Sequence, residues 1–174
     1  MQDRAYLTEA FFNRPADAVA RDLLGKTLVR LIGKNVVRLP ITETEAYLGP
    51  HDLACHAARG RTLRTEVMFG PPGTLYVYLV YGLHWMLNIV TGPTGYPAAV
   101  LIRAAGNLSG PGRLARALAI TGHLNGKPAI PPKGLWFEHD KGAKAGRVIA
   151  GSRIGVGYAG PRWSARELRF MQQL

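Results

Sequence analysis

The segment Gly73-Thr74-Leu75-Tyr76-Val77-Tyr78-Leu79-Val80-Tyr81-Gly82 limits the fold more than any other part of the chain. Aromatic and β-branched residues fill Thr74 to Tyr81, Gly82-Leu83-His84 supplies a turn, and Trp85 to Val90 returns as a second strand. An antiparallel hairpin is therefore expected here. Side chains alternate across a strand, so Tyr76 and Tyr78 share one face and Tyr81 falls at the tip.

Other short runs extend the sheet. Thr27 to Leu31 and Val36 to Leu39 flank Ile32-Gly33-Lys34-Asn35 and read as a second hairpin. Its second strand continues past Pro40 to Tyr47; proline has no ladder donor, so a bulge or edge position is expected at Pro40. Beyond Pro40, Glu43, Glu45 and Tyr47 point one way and Thr42, Thr44 and Ala46 the other. Ala98 to Arg103 and Arg147 to Val156 read as further strands.

Helical signals are fewer. Thr8 caps a short turn through Phe12, and Pro15 takes the first position of a helix ending near Gly25, whose Ala16, Val19, Ala20, Leu23 and Leu24 cover the sheet. Gly110-Pro111-Gly112 leads into a basic helix from Arg113 to Ile120, ended by Gly122. Asn125 to Lys144, rich in Pro, Gly and Lys, reads as a surface loop, and Tyr158 to Trp163 as an irregular turn. The expected class is α+β, one mixed domain over residues 1–174: an antiparallel sheet flanked by helices, with a protruding β-hairpin. Its 174 residues suffice to bury roughly two-thirds of the surface exposed by the unfolded chain.

Lys and Arg number 22 against 11 Asp and Glu, a formal net charge of +11 and a pI near 10.3. That excess favours a polyanionic partner. With no long amphipathic basic helix and no apolar run of bilayer length, nucleic acid is the expected partner and not a membrane. A lone cysteine, Cys55, excludes an internal disulfide and any multi-cysteine metal site. Met1-Gln2-Asp3-Arg4 has no basic-then-apolar leader pattern, so a cytoplasmic protein is expected.

Candidate chemistry concentrates between Ile41 and Asn88. Carboxylates on an apolar strand must be paired, exposed or shifted in pKa, so Glu43 and Glu45 are either salt-bridged to arginines or a general base toward water. Leu48 to Pro72 is a long connection carrying Arg59, Arg61 and Arg64, and connections of that length in compact domains are commonly functional. His51, Cys55 and His56 are the one set near metal-ligand spacing, but adjacent Cys55 and His56 diverge in an extended segment, so no metal site is expected. Tyrosines beside arginines suit stacking on an extruded base, and Tyr81 at a turn suits a wedge between base steps. Gly110-Pro111-Gly112-Arg113 offers backbone amides and a cation to a phosphate. Two other readings share these features: a non-catalytic nucleic-acid-binding module and a free-nucleoside hydrolase.

Taken in order, Glu43-Thr44-Glu45-Ala46-Tyr47-Leu48-Gly49-Pro50, Asp52, His56, Met68-Phe69-Gly70-Pro71-Pro72-Gly73, Tyr76 to Gly82, Asn88, Arg103, Gly110 to Ile120 and Gly155-Val156-Gly157-Tyr158-Ala159-Gly160 closely resemble the alkyladenine (3-methyladenine) DNA glycosylase family. The resemblance implies a mixed domain with a curved antiparallel sheet that acts, without metal or cofactor, as a monomer on double-stranded DNA holding a damaged purine. It implies that Glu45 activates water for attack on the sugar C1′, helped by Arg103. Tyr47, His56 and Tyr78 would line the base pocket, Asn88 would exclude guanine, and Tyr81 would fill the gap left by the flipped nucleotide. Arg59, Arg61, Arg64 and Arg113 would meet the DNA backbone, and Glu43 would form a structural ion pair. Electron-rich aromatic faces would favour a cationic methylated base, and the lack of a pocket lysine suits a monofunctional enzyme of base excision repair that leaves an abasic site. The chain stops at Leu174, whereas family members commonly run well past Glu167-Leu168-Arg169-Phe170.

Overall fold

The computed structural model describes residues 6–139 and 146–173. In chain order its regular elements are α1 (Glu9–Phe12), α2 (Ala16–Asp22), β1 (Thr27–Ile32), β2 (Asn35–Tyr47), β3 (Leu75–Val80), β4 (His84–Thr91), β5 (Ala98–Ala105), β6 (Leu108–Ser109), α3 (Pro111–Ala117), β7 (Leu135–Glu138), β8 (Arg147–Gly151), α4 (Gly160–Ser164) and β9 (Arg169–Gln173). Strands dominate and every pairing is antiparallel, an α+β fold. The nine strands run β3-β4-β5-β2-β1-β7, with β6 on β5, β9 on β2 and β8 on β9.

The long strand β2 joins the two parts of this sheet. Its first half pairs with β1 as far as Pro40, opposite Thr27. Its second half pairs with β5 on one side and β9 on the other, with register breaks between Ile41 and Glu43 and between Glu43 and Thr44. Proline without an amide donor stands at the changeover, where only its carbonyl is used, accepting from the Gly106 amide at 2.7 Å. Gly106 adopts φ +57, and a Cβ there would meet the Leu39 side chain at 2.9 Å, so the approach requires glycine.

Alternation gives the sheet one greasy and one polar face. Ala46, Leu75, Val77, Leu87, Ile89, Val100 and Ile102 pack with Val19 and Ala20 of α2 and with Leu114 and Ala115 of α3. The Thr44 hydroxyl on this side donates to the Ala20 carbonyl at 2.8 Å, which satisfies it in the core. The opposite face carries the cleft described below.

Several expectations are corrected. Pro15 caps α2 from outside, with ψ 139, and the helix stops at Asp22 rather than near Gly25. Thr8 flanks α1 without a side-chain cap bond. The basic helix begins at Pro111 and closes at Ala117, because Ala119 turns left-handed at φ 47, and Gly122 opens a separate 3-10 turn. Within the expected loop from Asn125 to Lys144, Leu135–Glu138 is instead a buried strand zipped to β1; Leu-Trp-Phe is apolar enough to enter the core despite its Pro- and Gly-rich surroundings. Residues 140–144 of that stretch and the chain start 1–4 lie outside the described residues. The last expected strand ends at Gly151, freeing Ile154 for the cleft, and β9 follows where no strand was expected. Tyr158–Trp163 folds into a 3-10 turn and α4.

Candidate active site

Register aligns chemistry across four strands. Tyr76 pairs with Asn88, Asn88 with Leu101, and Leu101 with Glu45, so these four side chains form one row on the polar face. The adjoining row runs Val90, Ala99, Tyr47. With Tyr78, two residues along β3, all of these except Val90 wall a cleft of about 560 Å³, a size typical of small-molecule sites. Cys55, His56 and Arg64 close it from the Leu48–Pro72 connection, and Ile154 and Tyr158 from the segment after β8.

Glu45 lies at the floor and is fully buried. Its Oε1 accepts from the Ile154 amide at 2.8 Å and faces the Arg103 guanidinium at 3.3 Å, while its Oε2 accepts from the Tyr47 hydroxyl at 2.9 Å. Burial pushes its carboxyl above the ordinary carboxylate value, against the pull of Arg103, the Ile154 amide and the Tyr47 hydroxyl. Burial, then the Glu45 charge, holds the Tyr47 phenol well above its usual value, so Tyr47 stays a donor. Glu43 shares the face as alternation predicted and is ion-paired, by Arg103 Nε at 3.0 Å and by Arg169 at 3.0 Å.

The aromatic wall is tightly coupled. The Tyr76 and Tyr78 rings are 5.1 Å apart, and His56 meets Tyr78 edge-on at 4.7 Å. His56 Nδ1 lies 3.0 Å from the Tyr76 hydroxyl. Burial, then Arg64 and Arg59, lowers the His56 pKa to about 4, so the imidazole is neutral at pH 7. A neutral ring that accepts the Tyr76 proton at Nδ1 keeps its hydrogen on Nε2 as a donor. Asn88 Nδ2 is tied to the Tyr76 carbonyl at 3.1 Å, which fixes its amide plane.

Tyr81 sits at the hairpin tip, 91% exposed, with φ 52. A bulky side chain in the left-handed region costs roughly 1–2 kcal/mol, and such strain clusters at functional positions. The arginines are spread differently. Arg64 borders the cleft, Arg59 and Arg64 line an adjoining groove, Arg113 projects from the first turn of α3, and Arg61 is bound twice to Glu66 at 2.6 Å. His51, Cys55 and His56 do not converge: His51 lies against Trp163, Cys55 Sγ points to the Pro97 carbonyl, and among the described residues no group of three or more His, Cys, Asp or Glu is arranged to hold a metal.

Sequence reasoning missed the support behind Glu45. Arg153 and Asp52 form a wholly buried ion pair, with Nη1 donating to Oδ2 at 2.5 Å and Nη2 to Oδ1 at 2.9 Å. Arg153 also donates to the Ala46 carbonyl at 2.9 Å and lies 4.9 Å from the Tyr47 ring centroid. Asp52 accepts from the Leu48 and Ala54 amides. Asp52 and the Gly155–Gly160 run were both visible as motif blocks, but nothing local marks one arginine of many as the buried partner.

A family model described as methylpurine-DNA glycosylase matches residues 10–109 and 105–173, nearly the whole chain. The chain belongs to the methylpurine-DNA glycosylase family. Its relatives include proteins named "Putative 3-methyladenine DNA glycosylase": one from Anaeromyxobacter dehalogenans strain 2CP-C is 49% identical, over 94% of this chain and 82% of its own length. Another from Methanocella arvoryzae is 47% identical over 88% of this chain and 86% of its own, and one from Legionella pneumophila strain Lens is 42% identical over 94% and 92%. The protein is thus a hydrolase of N-glycosyl bonds acting on DNA. Membership sets aside the non-catalytic module, and among its described residues no helix is long and apolar enough to cross a membrane.

Proposed function

We propose that the cleft receives a damaged purine turned out of duplex DNA and that Glu45 activates the water that releases it. An ionised carboxylate has about four acceptor positions. The Ile154 amide and Arg103 take those of Oε1 and the Tyr47 hydroxyl takes one of Oε2, which leaves one Oε2 position for water. The water oxygen bonds to C1′, its proton passes to Glu45, and the C1′–N bond breaks with its electron pair leaving on the purine. An abasic sugar and a free base result.

The other side chains take roles that follow from their chemistry. Tyr47 and Tyr78 offer ring faces to the purine, His56 Nε2–H offers a donor to its edge, and the tethered Asn88 amide crowds a base bearing an extra exocyclic amino group. Tyr81 fills the vacated stack through the minor groove. The +11 charge, with Arg59 and Arg113 among its contributors, favours the phosphate backbone.

A buried carboxylate at the floor of an open cleft, held by three donors yet with an acceptor position remaining, carries this reading. Duplexes containing hypoxanthine, ethenoadenine, 3-methyladenine or 7-methylguanine, incubated with the protein and then cleaved by alkali, test it. Abasic sites at one or more lesions are expected; folded protein that leaves all four intact refutes the reading. A free-nucleoside hydrolase would be nearly indifferent to salt, whereas excision from duplex weakens steeply as salt rises.

A further inference from the structure

Arg64 stands out among the arginines beside the cleft because of what it lacks. The nearby carboxylates are all engaged: Glu45 by Arg103, Asp52 by Arg153 and Glu66 by Arg61. Among the described residues Arg64 has no carboxylate partner, yet its guanidinium carbon lies 4.9 Å from the centroid of the Tyr78 ring and it borders the cleft. The Tyr47 ring carries a guanidinium at the same distance, that of Arg153. Both rings offered to the purine are therefore already engaged by cations.

We propose that Arg64 is a specificity-determining residue whose guanidinium over Tyr78 biases the pocket toward uncharged damaged purines and against purines carrying a fixed positive charge. The inference rests on the function proposed above. A purine alkylated at a ring nitrogen while still bonded to the sugar is cationic, whereas a deaminated or etheno-bridged purine is neutral. Aromatic faces attract a cation when nothing else occupies their field. Here the charge on Arg64 opposes that attraction for any base stacked on Tyr78. His56 already responds to this field: after burial, Arg64 is the largest influence disfavouring its protonated ring. Arg64 also acts on Tyr76: burial raises the Tyr76 phenol pKa, the Arg64 charge opposes that rise, and the same hydroxyl lies 3.0 Å from His56 Nδ1, the contact that orients the donor facing the base.

The test compares excision of 3-methyladenine, which is cationic while bonded to the sugar, with excision of hypoxanthine, which is neutral, from otherwise identical duplexes; neither carries the 2-amino group of guanine that Asn88 crowds. Single-turnover efficiency is measured for the wild type, Arg64→Gln and Arg64→Lys. One unit charge about 6 Å away, at the effective dielectric of about 20 near a protein surface, corresponds to a change of about a hundredfold, which solvent screening of the exposed Arg64 side chain reduces toward about tenfold. Arg64→Gln is expected to raise the ratio of cationic to neutral excision by about that factor, while Arg64→Lys, which keeps the charge, stays near the wild-type ratio. Salt dependence on undamaged duplex records any loss of a phosphate contact, which slows both lesions alike and leaves the ratio unchanged. An unchanged ratio in active Arg64→Gln, or Arg64→Lys behaving like Arg64→Gln, overturns the assignment. Absence of excision by the wild type would instead overturn the glycosylase reading, and the inference with it.

Discussion

The Ile154 amide donates to Glu45 Oε1 at 2.8 Å, joining a loop after β8 to the C-terminal end of β2. The loop is anchored one residue earlier, where the Arg153 guanidinium reaches the Ala46 carbonyl and Asp52. The residue before Ile154 thus holds the residue after Glu45, so one buried arginine braces both sides of the contact. The arrangement keeps the carboxylate in place before any DNA arrives, which is what preorganised electrostatics requires.

Breaking that anchor leaves a charge buried alone. Arg153→Met strands Asp52 and is expected to cost about 3–5 kcal/mol in urea unfolding. Adding Asp52→Asn removes the stranded charge, so the double variant should be more stable than Arg153→Met by itself, while base release stays impaired because Ile154 and Tyr47 have lost their support. Independent, additive losses would contradict the proposed coupling.

Much of this was legible in the chain. The alternation Glu43, Glu45, Tyr47 and the pair Tyr76, Tyr78 read true because a strand's period of two leaves little freedom. Tyr81 at the tip followed from the adjacent turn glycine. The partnership of Asp52 with Arg153 was not legible, because 101 residues separate them and tertiary packing alone selects one arginine from many. Leu135–Glu138 was hidden for a related reason: its turn-rich flanks outweigh four residues whose burial depends on pairing with β1. The shortened basic helix reflects left-handed Ala119, whose carbonyl, with that of Leu118, is held by Arg30.

The acid limb of base release should sit above the ordinary carboxylate range, because Glu45 must be ionised and burial raises its pKa. Arg103→Gln removes the largest opposing influence, so the limb should move to still higher pH. A limb unmoved by Arg103→Gln in a pH profile of kcat/KM would separate the two residues. For stability the sign is that of a raised group: the neutral carboxyl favours the fold at low pH, and this contribution is lost as pH rises through the folded-state pKa.

His56 has the opposite sign. Its pKa falls from 6.5 to about 4 on folding, so its contribution to stability is complete above pH 6.5 and is lost as pH falls toward 4. Chemical unfolding at pH 7 and pH 4.5 should show the wild type losing on the order of 2 kcal/mol more than His56→Gln across that interval. Equal losses would mean that His56 is not held neutral.

Tyr81 combines exposure with an unfavourable backbone conformation. Tyr81→Gly is expected to raise thermal stability slightly, by relief of roughly 1 kcal/mol of strain, and to lower excision from duplex far more than from single-stranded DNA. Equal loss on both substrates would assign Tyr81 to the pocket and not to the gap in the duplex.

The central claim is that Glu45 activates the attacking water, and single-turnover excision by Glu45→Gln tests it most directly. With duplex binding measured alongside by titration, the account predicts base release slowed by about 10²–10⁴-fold or more while affinity for lesion-containing duplex is retained or slightly tightened. Excision by Glu45→Gln at a rate close to that of the wild type would contradict it.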